Sequence, residues 1–140
     1  MDRGKPGVKR NIFQRLLGIC ATNSPADAGC WSYADGKVII DLARAPELSA
    51  ENGAIRLEEQ SLPERILVFK GNDGKYHAVR NMCAHAKRRL DPVPGAEQVQ
   101  CCSVGKSTYD YQGKVISGMA GGDIRTFPVS EEEGKLVITT

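Results

Sequence analysis

Cys83-Ala84-His85 places a thiol and an imidazole two residues apart, and Cys102 follows His85 after sixteen intervening residues, with Cys101 directly before it. These are the side chains that hold borderline-soft transition metals, and on one tight turn both can face the same centre. A second loop carrying thiolates can close such a site from the opposite side. Cys83, His85, Cys101 and Cys102 are therefore the candidate metal ligands.

A geometric condition applies to the second pair. Adjacent residues of an extended strand point to opposite faces, so Cys101 and Cys102 reach one metal only where the strand has already turned into loop. Ser103-Val104-Gly105 permits that turn. A vicinal Cys101–Cys102 disulfide is the alternative, rare because of its strain.

The pattern resembles the Rieske family, whose signature is Cys-x-His, a spacer of this order, then Cys-x-x-His with a Ser and a Tyr soon after. Val79-Arg80-Asn81-Met82 leads into the first loop as a family strand would, Leu90 follows it, and Gly113-Lys114-Val115-Ile116-Ser117-Gly118 resembles the hairpin after the second loop. The resemblance covers roughly the last hundred residues. It implies that Ser107 and Tyr109 supply hydroxyls to the cluster sulfurs. One departure stands out. With Cys102 in the family's second cysteine position, Gly105 occupies the second histidine position; with Cys101 there instead, Val104 does. Neither register restores a histidine.

Three outcomes remain open. Cys83, His85, Cys101 and Cys102 hold a 2Fe-2S cluster through three thiolates and one imidazole, with a potential below that of two-histidine centres because a thiolate adds negative charge. Alternatively, the same groups hold a single Zn or Fe ion. In the third case no metal binds and the cysteines are small buried hydrophobes.

The elements that must position these residues read as β. Lys37–Asp41, Ala54–Leu57, Arg65–Phe69, Tyr76–Arg80, Lys114–Ile116, Ile124–Val129 and Lys135–Thr139 are short and rich in β-branched or aromatic residues. Gly71-Asn72-Asp73-Gly74, Asp110-Tyr111-Gln112-Gly113 and Glu131-Glu132-Glu133-Gly134 carry turn chemistry between them. Pro128 places its strand at an edge or ends it there. The expected fold is all-β: a Rieske-like antiparallel β-sandwich or barrel over 36–140 with an inserted cluster-binding subdomain, its loops spanning about 81–112. A 1–35 extension precedes it, in which Ile12, Phe13, Leu16, Leu17 and Cys20 recur at helical spacing behind the N-cap Asn11. This short amphipathic helix is expected to pack on the domain or on a second copy, making a homo-oligomer.

Composition narrows the function class. The 140 residues carry 19 basic and 17 acidic side chains, a net charge of +2, which argues against bulk nucleic-acid or membrane attraction. No segment is long enough to span a bilayer. Five cysteines is an odd number, and three of them sit on the metal loops, so a reducing compartment, the cytoplasm, is expected. Cys20 and Cys30 match no metal spacing and read as buried or idle thiols, with a second metal site or a disulfide joining their loop as the alternative. His77 reads as solvent-facing or hydrogen-bonded within an alternating strand. Lys87-Arg88-Arg89 is either a solvated charge run or a positive rim for an acidic electron-transfer partner, and Met119-Ala120-Gly121-Gly122 replaces a proline-containing family loop.

No nucleophile, oxyanion arrangement or phosphate-binding glycine loop is present. The resemblance thus implies a soluble one-electron carrier, a ferredoxin or the small electron-transfer subunit of an oxidoreductase, non-catalytic by itself. Its partners would be a reductase and an acceptor oxidoreductase. The competing class is a binding or scaffold protein of the same fold with zinc, mononuclear iron or no metal.

Overall fold

The computed structural model describes residues 20–59, 61–84, 88–102, 106–118 and 122–140. Among the described residues, twelve strands form three antiparallel four-stranded sheets. The first holds β1 (Trp31–Ala34), β2 (Lys37–Asp41), β12 (Lys135–Thr139) and β11 (Val129–Glu132), in the order β1-β2-β12-β11. The second is ordered β10-β5-β4-β3, from β3 (Ala54–Leu57), β4 (Ile66–Lys70), β5 (Tyr76–Arg80) and β10 (Thr126–Phe127). The third runs β6-β7-β8-β9, from β6 (Leu90–Pro92), β7 (Gln98–Cys101), β8 (Thr108–Asp110) and β9 (Val115–Ser117), and is inserted between β5 and β10. The fold class is the antiparallel β architecture expected; the N-terminal helix falls on 12–20, of which only Cys20 is among the described residues.

The middle sheet organises the packing. In β4 successive side chains alternate between two cores: Ile66 and Val68 join Val38, Ile40, Leu136 and Ile138 of the first sheet, while Leu67 and Phe69 join Leu90, Val99, Cys101 and Tyr109 of the third. A strand buried on both faces reads as a continuous apolar run, which is how Ile66-Leu67-Val68-Phe69 reads. This second core is the floor on which the inserted sheet stands.

Turn chemistry sets the registers. Glu133 (φ 52°) and Gly134 (φ 77°) form the two left-handed positions of the β11–β12 hairpin, and Gly74 (φ 78°) sits in the β4–β5 connection. Pro128 separates β10 from β11, so the strand expected over 124–129 is two strands lying in different sheets, since proline has no N–H to continue a ladder. Strand β1, in the stretch read as an extension, pairs with β2 from Trp31↔Ile40 to Ala34↔Lys37.

Candidate metal centre

Two loops meet over the second core. The first leaves β5 through Asn81, whose backbone N–H donates to the Arg65 carbonyl at 2.8 Å and whose side-chain oxygen accepts the Leu90 N–H at 2.7 Å. The Cys83 N–H donates to the Arg88 carbonyl at 2.8 Å, closing the loop on itself. The second loop is closed in the same way by the Cys101 N–H on the Ser107 carbonyl at 2.7 Å. The loops are then joined, because the Cys102 N–H donates to Arg89 at 2.9 Å.

This places the Cys83 and Cys101 sulfurs 3.1 Å apart, both buried. Beside them, Tyr109 is fully buried, and its hydroxyl accepts the Ala84 N–H at 3.0 Å and pairs with the Ser107 side chain. Burial, then the nearby Cys83 and Cys101 sulfurs, push the Tyr109 phenol above its ordinary range, so it stays protonated and able to donate. Thus Cys83, Cys101, Ser107 and Tyr109 are brought together. His85 lies outside the described residues, as do Val104 and Gly105.

Cys102 is not part of this group. Strand β7 alternates, turning Val99 and Cys101 into the second core, and the next residue turns the other way. There Cys102 forms a disulfide with Cys20, across 82 residues of sequence, and lies 3.8 Å from an Asp91 carboxylate oxygen. The strand has not become loop early enough to bring both cysteines to one face. Cys20 is bonded to Cys102 and so is neither an idle thiol nor joined to Cys30; Cys30 is a buried thiol in the first core, its pKa raised by burial and then by Glu47.

Asp91 is the residue that sequence reasoning missed. It is buried on β6, and its two oxygens accept the Ala21 and Thr22 N–H groups at 2.8 and 2.9 Å. Cys20, Asp91 and Cys102 offer ligand atoms within 4.8 Å of one another, a second grouping of metal-binding type. The only sequence signal was an aspartate inside an apolar, proline-flanked strand.

The remaining candidates take structural places. His77 pairs with Asp73 at 2.9 Å and stacks among Phe69 and Tyr111. Arg89 is bound to Glu58 through Nε and Nη2, at 2.5 and 2.8 Å, leaving Arg88 as the exposed member of the basic run among the described residues. Residues 119–121 of the glycine-rich stretch lie outside the described residues.

Comparison with known proteins bears on this geometry. The Rieske [2Fe-2S] domain family matches residues 39–128. The cytochrome b6-f complex iron-sulfur subunit of Chlorobaculum tepidum is 29% identical over 104 residues, which make up 74% of this chain and 55% of that protein. The chain therefore spans about half the length of that relative. Among solved structures, the Sphingomonas yanoikuyae B1 ferredoxin superposes with a TM-score of 0.56 at 19% identity, covering 65% of this chain and 88% of the ferredoxin. The ferredoxin of carbazole 1,9a-dioxygenase from Nocardioides aromaticivorans gives a TM-score of 0.54 at 18% identity, covering 64% and 86%. At such identities the structures establish a shared fold.

Proposed function

Because the chain belongs to the Rieske [2Fe-2S] domain family, we propose that it is a one-electron carrier whose cluster would be held by Cys83, Cys101 and His85. The cofactor of that family is a 2Fe-2S cluster, which when bound takes up and releases a single electron. The observation that carries the proposal is the buried pair of thiols 3.1 Å apart, drawn from two loops and lying beside a buried tyrosine hydroxyl.

The donor set fits one half of such a cluster. Two thiols converge as one iron of a Rieske centre requires. The other half has His85 and, in the register that Cys101 defines, Val104 where a second imidazole would stand. Valine offers no donor atom. The three-thiolate set, with Cys102 as fourth ligand, would need the Cys20–Cys102 bond opened and Cys102 turned to the other face. Cys83, Cys101 and His85 are accordingly the proposed ligands, with Ser107 and Tyr109 as hydroxyls that raise the potential by stabilising negative charge on sulfur.

The rest of the chain supports the carrier role by what it excludes. The thiol pair sits on an apolar core, and Tyr109 and Ser107 are both buried, so water is kept from the sulfurs. A reductase as donor and an oxidoreductase as acceptor are the partners this reading calls for. Arg88, exposed at the first loop, is suited to an acidic partner surface. No helix among the described residues is long and apolar enough to cross a membrane.

The lack of a second imidazole favours one other reading, a mononuclear ion held by Cys83, Cys101 and His85. Iron, sulfide and zinc analysis of anaerobically purified protein, with EPR after reduction, separates the two. Two irons and two sulfides with a rhombic signal are expected, lost in Cys83→Ser and Cys101→Ser and kept in Cys102→Ser. One zinc per chain would overturn the carrier reading.

A further inference from the structure

We infer that Cys20–Cys102 is a second redox site of the chain, a thiol-reducible clasp that ties the N-terminal segment to the second metal loop. Its link to that loop's behaviour rests on Cys101 being a ligand, whereas the redox chemistry of the clasp does not.

The segment after Cys20 runs as a strap along both halves of the molecule. Asp91 of the inserted sheet holds the Ala21 and Thr22 N–H groups, the Asn23 carbonyl accepts the Arg56 N–H at 3.0 Å at the edge of the middle sheet, and Glu47 accepts the Ala26 N–H at 2.8 Å. Beneath it lies a cavity of about 480 Å³ lined in part by Thr22, Glu47, Asn52 and Asp91. The disulfide is the strap's covalent end. It joins the strap to the residue directly after Cys101, and Cys102 also bonds Arg89 of the first loop. Whatever moves Cys102 therefore pulls on both metal loops.

The two cysteines are unequally exposed. Cys102 is fully buried, whereas Cys20 is partly exposed. A dithiol reductant thus attacks Cys20 Sγ. The Cys20–Cys102 bond breaks, Cys102 Sγ takes the electron pair and a proton, and a mixed disulfide forms at Cys20. The second thiol of the reductant then attacks that mixed disulfide, closing the reductant's own disulfide and leaving Cys20 as a thiol. Two electrons and two protons pass to the protein, and the reductant is oxidised by the same amount. Asp91 still holds Ala21 and Thr22 after the bond opens, so the strap stays docked at that end while Cys102 is released.

The test uses the full-length, metal-loaded protein equilibrated with graded ratios of reduced to oxidised dithiothreitol, acid-quenched and alkylated in denaturant. Peptide mass spectrometry with fragmentation should show a Cys20–Cys102 linked peptide that gives way to two alkylated cysteines as the ratio rises, without loss of the folded state by near-ultraviolet circular dichroism. Native hydrogen exchange should quicken several-fold at the Cys101 and Cys102 amides on reduction, and equally in Cys20→Ser, where no clasp can form. A linked peptide that resists the dithiol until the protein unfolds would make the bond a fixed staple and overturn the inference. So would its absence at every ratio with a metal ion that Cys20→Ser removes, which would make Cys20, Asp91 and Cys102 a metal site. Unchanged exchange rates would overturn the coupling. Loss of the cluster reading would appear separately, as absent iron and sulfide, with the linked peptide unaffected.

Discussion

Asn81 is almost fully buried where β5 ends, and its side-chain oxygen is the partner of the Leu90 N–H at 2.7 Å. Removing that oxygen leaves a buried donor unsatisfied, so Asn81→Ala should destabilise the fold by about 1–3 kcal/mol, measured by urea denaturation. Tyr109 acts on the same loop from the other side. Tyr109→Phe removes the acceptor of the Ala84 N–H and the hydroxyl beside the two sulfurs, so the metal-loaded variant should show a lower reduction potential by protein-film voltammetry, with a stability loss of about 1 kcal/mol. Tyr109 stands out in the sequence by its place after the second motif, but Asn81 does not: it is one position of a strand-like lead-in, and its partner lies nine residues away across a loop.

At the scale of elements, the turn after β8 and the ion pair at the end of β3 hold the inserted sheet. Gly113 has φ +84°, and a Cβ there would stand 2.2 Å from the Ile124 carbonyl oxygen, a backbone atom that cannot rotate away. Gly113→Ala should therefore cost about 1–3 kcal/mol in denaturant titrations. Glu58, just past β3, binds Arg89 of the first loop, and that hydrogen bond holds its carboxyl below the usual range despite partial burial. A folded pKa below the unfolded one stabilises the protein above the unfolded value, near 4.5, and the contribution fades as pH falls through the lowered value. Thermal stability of Glu58→Gln and of the parent should therefore differ at pH 7 and converge under acid. The difference at neutral pH should be about 1 kcal/mol or less, since both side chains are partly solvated.

For the whole molecule, the disulfide changes how the cysteines are distributed between roles. Three of the five were assigned to one metal site and the other two to idle or local pairing; instead Cys83 and Cys101 share a face, Cys20 and Cys102 are bonded, and Cys30 is buried in the other core. The strap also joins the halves: Asp91 belongs to the inserted sheet, Arg56 to the middle one, and both bond the same N-terminal segment.

Strand positions and turns were legible in the sequence because period-two alternation and left-handed turn residues are local properties, as β2, β3, β5 and β12 show at their expected bounds. Cys83 and Cys101 were named from a local pattern too, and the structure brings their sulfurs to 3.1 Å, while His85 lies outside the described residues. The short strands β6 and β8 carry too few residues to show a period, and their Leu90 and Tyr109 pack on Leu67, Phe69 and Val79 of the middle sheet. Which of two adjacent cysteines faces the site was decided only in three dimensions. Sequence fixes that neighbours in a strand point to opposite faces, but the face toward the second core depends on the register of β7 against β6 and β8, and that register turned Cys101 inward and Cys102 toward Cys20.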